Sequence, residues 1–306
     1  MNGSGLFGGK RALVTGASGF IGSRLCARLL EAGADVYGVS RFARYGDEIR
    51  WTTVDLKDSE TVSGLIRDVQ PDLIFHLASH VSGSRALDAV LPTLNDNLFS
   101  AVNVLVGAAT TDCQRVVLVG SLEEAAGDQY EPVPVSPYAA AKLAASAYGR
   151  MFYALHGVPV VNLRVFMVYG PGQRDDTKLI PYVITSLLRG SSPKLSSGTR
   201  PVDWVYVDDV VQALLASVEK EKAVGKTIDV GSGVLTSIRA VVEKIVCLME
   251  SPAKPRFGAL PDRSNERVHA ADVVRTQEIL GWMPQTPLDE GLAATIEWFS
   301  SREVDA

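Results

Sequence analysis

Short apolar runs alternate along the first half of the chain with stretches in which apolar positions recur at three- and four-residue spacing. The first kind of run predicts buried strands, the second amphipathic helices. Strands are expected at 11–15, 34–40, 51–54, 72–77, 115–120 and 160–166, with helices at 20–31, 59–69, 95–111 and 137–156. The helix signals agree with the pattern. Gly33 closes the first helix, Pro71 follows the second, and Pro137 opens the last, where a missing N–H costs nothing. Strands that alternate with helices predict an α/β fold, with a parallel sheet covered by helices on both faces and joined by right-handed crossovers.

Beyond residue 167 the pattern loosens. Gly170-Pro171-Gly172 marks a turn. Helices are expected at 179–189, 208–219, 271–280 and 289–300, and strands at 203–207 and 226–230. The organisation read from this is a nucleotide-binding domain over 1–167, with later segments near 203–231 returning to it. Residues 168–306 mostly build a smaller lobe at the sheet's carboxyl edge, where doubly wound folds bind ligands.

Composition narrows the partners. The chain has 306 residues and a net charge of -5, and it contains no basic run, so nucleic acid is not an expected partner. Cys26, Cys113 and Cys247 lie far apart with no CxxC, which predicts neither a disulfide framework nor a zinc site. His76, His80, His156 and His269 show no metal-ligand spacing, so no metal is expected. The glycine-rich first residues do not read as a signal peptide, and no stretch is long and apolar enough to span a membrane. A reducing cytoplasm is the expected location.

The run Gly16-Ala17-Ser18-Gly19-Phe20-Ile21-Gly22 joins the first predicted strand to the first helix. Glycines there let the backbone turn tightly and approach a pyrophosphate, and the helix N-terminus supplies N–H donors. A dinucleotide is therefore expected. The second strand ends on Ser40, followed by Arg41 and Arg44, where an NAD site carries an acid. Serine does not repel a 2′-phosphate and arginine can clamp one, so NADP(H) is expected over NAD(H). Asp55 and Leu56 are placed to meet the adenine, and Leu77, Ala78 and Ser79 end the fourth strand beside the cofactor. His76 reads as a packed, hydrogen-bonded residue.

Tyr138 and Lys142 lie four apart at the start of the 137–156 helix, on one of its faces. A nearby ammonium favours the phenolate. Such a tyrosine can exchange a proton with a carbinol oxygen near neutral pH.

Taken together, TGASGFIG, Asp55-Leu56, HLAS, Asn97, Ser121, YxxxK, Gly170-Pro171, the run from Val205 to Val210 and Leu280-Gly281-Trp282 resemble the extended short-chain dehydrogenase/reductase family. The branch is the one acting on nucleotide-activated sugars. The match runs from about residue 10 to about residue 300. It implies a doubly wound parallel Rossmann sheet with a smaller C-terminal substrate-binding lobe. It also implies a catalytic Ser121, Tyr138 and Lys142, the last two touching the cofactor as well. Tyr138 would be the acid/base, Ser121 would hold the reacting oxygen, and Lys142 would lower the tyrosine pKa.

The run from Val119 to Glu124 resembles that of nucleotide-diphospho-4-keto-6-deoxysugar reductases. The sugar 4,6-dehydratases carry Thr-Asp-Glu there, and Leu122 replaces the Asp, while Glu123 remains as a catalytic or substrate residue. The leading expectation is reduction of a 4-keto group, with the proton from Tyr138. A nucleotide-sugar 4-epimerase or dehydratase with recycled NAD, a ketoreductase on a non-sugar aglycone, and an idle dinucleotide sensor stay open.

The chain departs from the family at several points. Ala125-Ala126 stand near the usual Tyr-Gly, the loop between Ser121 and Tyr138 is short, Met167 stands for Asn and Val202 for Arg. Ser79, Met167, Arg200 and Arg263 are the expected substrate contacts, the two arginines as a diphosphate clamp. The family further implies a homodimer built on the helices beginning at Asn95 and Pro137.

Overall fold

Arg11–Thr15 forms β1, and Ala12, Leu13 and Val14 within it are almost wholly buried. A strand without a solvent face belongs in the interior of a parallel sheet. In the computed structural model, which describes residues 6–46, 48–124, 133–264, 266 and 268–303, β1 pairs in parallel with a neighbour on each side. The chain divides into two units. The first comprises Met1–Val165, Val211–Asp229 and Arg275–Trp282, and the second Phe166–Val210, Val230–Val274 and Met283–Ala306.

After β1 come α1 (Phe20–Glu31), β2 (Asp35–Ser40), β3 (Arg50–Thr53), α2 (Ser59–Val69) and β4 (Leu73–His76). A helical stretch follows as α3 (Val90–Thr93), a π-helical segment (Leu94–Phe99) and α4 (Ser100–Ala108). Then come β5 (Arg115–Ser121), α5 (Pro137–His156) and β6 (Val160–Val165). The second half carries β7 (Met167–Tyr169), α6 (Leu179–Leu188), β8 (Pro201–Tyr206), α7 (Val207–Glu219), β9 (Thr227–Val230), β10 (Leu235–Ser237), α8 (Ile238–Leu248), α9 (Val273–Leu280) and α10 (Leu288–Glu303).

The seven-stranded sheet runs β3-β2-β1-β4-β5-β6-β9. Its order reverses between β1 and β4, so the carboxyl ends of these strands border the crevice where such folds take ligands. Leu13, Ile74, Val104, Leu105, Val116 and Phe152 lie in the core that joins sheet to helices. In the second unit β7 pairs in parallel with β8, and β10 pairs antiparallel with it. Its own core joins Tyr169, Ile184, Trp204, Val242, Ile245 and Leu292.

Local signals set the ends of the helices. Ser136 caps α5 by accepting from Ala139 N, and Gly157 stops it in the left-handed conformation at φ 67°. Asp58 caps α2 through Glu60 N and Thr61 N.

Four elements differ from the sequence expectation. The helix expected at 95–111 is helical from Val90 and contains the π-helical segment, a local widening that recurs at functional sites. Strands β7 and β10 are too short to show a period. Helix α8 was not anticipated, although Ser237 caps it and Ile238, Val241, Val242 and Ile245 trace one face.

Candidate active site

The turn after β1 is tight enough to admit only glycine at two points. A Cβ on Gly16 would stand 2.7 Å from Ala78 N, and Gly16 holds φ at +70°. A Cβ on Gly22 would stand 2.1 Å from Gly16 O. Gly19 N donates to Gly16 O at 2.9 Å, and Gly19 caps α1 with no side-chain partner. Ser18 is exposed, and Phe20 and Ile21 are half-buried as α1 begins. The backbone of the first turn of α1 is thus left uncapped by any side chain, beside a cradle that a Cβ would fill. That arrangement fits a dinucleotide pyrophosphate. Thr15 fastens the neighbouring strand end: its O accepts from Leu77 N and its Oγ1 from Ala78 N, at 3.2 Å each. His76 Nδ1 lies 2.9 Å from Thr15 Oγ1, and burial pushes its pKa down to about 3, so the ring is neutral.

The segments that follow β2 and β3 are mixed in charge. Ser40 is buried and its Oγ accepts from Phe42 N at 3.2 Å. Arg41 is exposed and lies 3.9 Å from Asp96, while Arg44 is exposed. Lys57 lies 3.4 Å from Asp55 and 3.7 Å from Asp96. Leu56 is buried and its O accepts from Asn103 Nδ2 at 2.9 Å.

Ser121 ends β5, and Tyr138 and Lys142 occupy the first turns of α5; all three are buried. The hydroxyls of Ser121 and Ser79 face the Tyr138 phenol and favour its ionised form. Burial outweighs them and pushes that pKa up, with Glu123 and Glu124 adding to it. Lys142 Nζ donates to Val119 O at 2.7 Å and lies 5.9 Å from the Tyr138 ring centroid. Burial brings Lys142 down to about 8, and Glu124 opposes that fall. Against the expectation that Lys142 lowers the Tyr138 pKa, the groups acting in that direction are the Ser121 and Ser79 hydroxyls, and burial outweighs them because a phenolate loses more by leaving water than these hydroxyls return.

Further residues join the cluster. Asn97, in the π-helical segment, accepts from Ser79 Oγ at 3.0 Å and His80 N at 2.6 Å, and donates to His80 O at 3.1 Å. Ser136 Oγ donates to Glu123 Oε2 at 3.1 Å, which ties Glu123 to the cap of α5. Glu123 N donates to Ser121 Oγ at 3.2 Å. Glu124 is buried, and its oxygens accept from Ser121 N and Ser146 Oγ at 2.8 Å each. Sequence reasoning assigned no role to Glu124, Ser136 or Ser146. Gly120 was the available signal for Glu124, since a Cβ there would stand 2.2 Å from Glu124 Oε1.

Met167, Arg200 and Arg263 belong to the second unit. Met167 is half-buried on β7, Arg200 Nε lies 2.9 Å from Glu266 Oε2, and Arg263 is exposed. Ala125 and Ala126 lie outside the described residues. Among the described residues no His, Cys, Asp or Glu cluster is placed to hold a metal, and no helix is long and apolar enough to cross a membrane.

Residues 12–231 match the NAD dependent epimerase/dehydratase family. Over 313 aligned residues the chain is 32% identical to a UDP-glucose 4-epimerase of Mycolicibacterium smegmatis, covering 95% of this chain and 99% of that protein. The crystal structure of a UDP-glucose 4-epimerase with UDP-glucose from Thermotoga maritima is similar at TM-score 0.88 and 25% identity, over 96% of this chain and 99% of that one. The fold also matches a UDP-glucuronic acid 4-epimerase from Bacillus cereus, in complex with UDP-glucuronic acid and NAD. There the TM-score is 0.85 at 24% identity, over 95% of this chain and 99% of that one.

Proposed function

The chain belongs to the NAD dependent epimerase/dehydratase family, and within it we propose that it is a nucleotide-sugar 4-epimerase that uses NAD and recycles it. The observation that carries this reading is the buried Ser121, Tyr138 and Lys142 cluster at the carboxyl end of β5, followed directly by the apolar Leu122. An aliphatic side chain cannot protonate a leaving hydroxyl, and Glu123 is tied to the cap of α5. Both points favour inversion over dehydration. The extended similarity to a UDP-glucose 4-epimerase favours it over the 4-keto reduction expected from the 119–124 run.

NAD, when bound, supplies the group that accepts and returns hydrogen at the sugar carbon. The chain's own residues manage the oxygen. In its phenolate form Tyr138 takes the proton of the C4 hydroxyl, and later gives it back. Ser121 donates to the same oxygen and stabilises its developing charge. Lys142, cationic below its pKa of about 8, favours the phenolate that burial otherwise disfavours. Gly16, Gly19 and Gly22 would hold the pyrophosphate, with Ser18, Phe20 and Ile21 presenting backbone, and Asp55, Leu56, Leu77, Ala78 and Ser79 would line the rest. Ser79 and Met167 would touch the sugar, and Arg200 and Arg263 its diphosphate.

NAD is preferred over NADP(H) because Asp96 and Asp55 offset the positive charge of Arg41 and Lys57. Ser40 spends its hydroxyl on Phe42 N. Phe99, Val106 and Tyr148 are 50%, 42% and 41% exposed along the helical stretch at 94–108 and α5, which suits a homodimer built on these helices. Free Cys26, Cys113 and Cys247 suit a reducing cytoplasm.

The test is incubation with UDP-glucose and UDP-galactose, reading interconversion without net change in reduced nicotinamide, with mass identification of the copurified dinucleotide and light scattering for the dimer. Stoichiometric consumption of NADPH on a nucleotide-linked 4-keto-6-deoxysugar, with no interconversion, would restore the reductase reading.

A further inference from the structure

Glu124 is a carboxylate taken almost entirely out of water, 2% exposed, one turn below the catalytic serine. Leaving an acid there is costly unless its oxygens are satisfied and its charge is answered. Both oxygens are satisfied. Oε1 accepts from Ser121 N and Oε2 from Ser146 Oγ, at 2.8 Å each. Both partners flank the reacting groups: Ser121 is the oxygen holder itself, and Ser146 stands one helical turn beyond Lys142 on α5. The space was cleared for it, since any side chain at Gly120 would strike Glu124 Oε1. An ionised carboxylate is an acceptor only, and both of its contacts here are donors.

We propose that Glu124 is a positioning residue for the reaction: by accepting from Ser121 N and Ser146 Oγ it locks the end of β5 to α5 and supplies the buried counter-charge of Lys142. This rests on the catalytic reading of Ser121, Tyr138 and Lys142 given above.

The charges around Lys142 leave Glu124 in that role. On β4, His76 is neutral near pH 7. On α5 itself, Tyr138 is a neutral phenol whose pKa burial pushes up. Glu123, after β5, is engaged with Ser136, and Arg164 on β6 acts on Glu124 from its own position and pairs with Asp229. Glu124 is the group whose charge holds Lys142 up against burial. Burial in turn raises the Glu124 pKa, and its hydrogen bonds, Lys142 and Arg164 pull it back toward the anion.

Glu124→Gln separates charge from shape. The amide oxygen still accepts from Ser121 N, and the amide nitrogen donates to Ser146 Oγ, so the fold is retained. Two readouts follow. In the epimerase assay, kcat should fall roughly tenfold near neutral pH, with KM little changed, and the alkaline limb of the pH profile should move down by about one pH unit. Independently of any substrate, NMR titration of 13C-ε-labelled lysine, with the signal assigned by its loss in Lys142→Met, should show Lys142 releasing its proton about one pH unit earlier. A Lys142 titration unchanged in Glu124→Gln overturns the proposal, whatever the enzyme's substrate proves to be. A wild-type enzyme that fails to epimerise while Lys142 still shifts overturns the function and leaves the role of Glu124 standing. Gly120→Ala supplies the geometric arm. It should impair activity by itself by displacing the carboxylate, and Glu124→Gln should then add little further loss; fully additive losses in Gly120→Ala/Glu124→Gln overturn the wedge argument.

Discussion

Lys142→Met should yield a protein that is more stable than the wild type and inactive. Burial lowers the Lys142 pKa from the ordinary 10.5 to about 8, and the attraction of Glu124 is already contained in that net result. At about 1.4 kcal/mol per pH unit, keeping the ammonium charged in the fold costs on the order of 3 kcal/mol. Methionine fills similar space without the charge. It forfeits the hydrogen bond to Val119 O, a loss of about 1–2 kcal/mol. The remainder is a gain of about 1–2 kcal/mol for the variant at neutral pH. Glu124, left without its counter-charge, can take up a proton, since burial has already moved its pKa in that direction.

The sign follows from linkage. The folded pKa lies below the unfolded one, so below pH 8 both states carry the charge and the penalty is complete. Between 8 and 10.5 the folded protein has released the proton and the unfolded chain still holds it, so the penalty shrinks as pH rises. The stability advantage of Lys142→Met should therefore be largest at neutral pH and fade toward pH 10.5. Urea denaturation of both proteins in parallel across that range measures it, because their other titrating groups cancel in the difference. A variant about 1 kcal/mol less stable than wild type at neutral pH, or an advantage that does not change with pH, would refute the reasoning.

Tyr138→Phe should bind dinucleotide normally and lose activity by about 10²- to 10⁴-fold, the usual yield of a general acid/base; full turnover in the variant would remove Tyr138 from the chemistry. Gly22→Ala drives a methyl to 2.1 Å from Gly16 O, so the turn must open. Dinucleotide affinity measured by calorimetry should collapse, and unchanged affinity would show that the turn is not the pyrophosphate cradle. Asp203, buried on β8, accepts from Ser232 N at 2.6 Å, Ser232 Oγ at 2.7 Å, and Gly233 N and Ala271 N at 2.9 Å each. Asp203→Ala orphans these donors and should cost about 3 kcal/mol or more in denaturation, and a cost under about 1 kcal/mol would contradict that accounting.

Much of this protein is written locally. Continuous apolar runs over β1, β4, β5 and β6 announce strands buried on both faces, and Ser136-Pro137 with Gly157 marks both ends of α5 to the residue. Glycine spacing, Ser121 and the Tyr138–Lys142 interval point to the proposed cofactor turn and proton-handling group, because each motif is carried by residues close in sequence. The helical pattern of α8 is equally present, between stretches interrupted by prolines and glycines.

Other features depend on what the fold brings together. Glu124 reads as one more solvated acid until β5 and α5 close around it. Asp203 gains its four donors from segments about 30 and 68 residues away. Asn97, in the π-helical segment, meets Ser79, which lies 18 residues earlier just past the end of β4. Above all, the sequence sets Lys142 four residues after Tyr138 and so predicts a phenol made more acidic. The sign of each pKa depends instead on how much water the fold removes, and burial lies in no single segment of the chain.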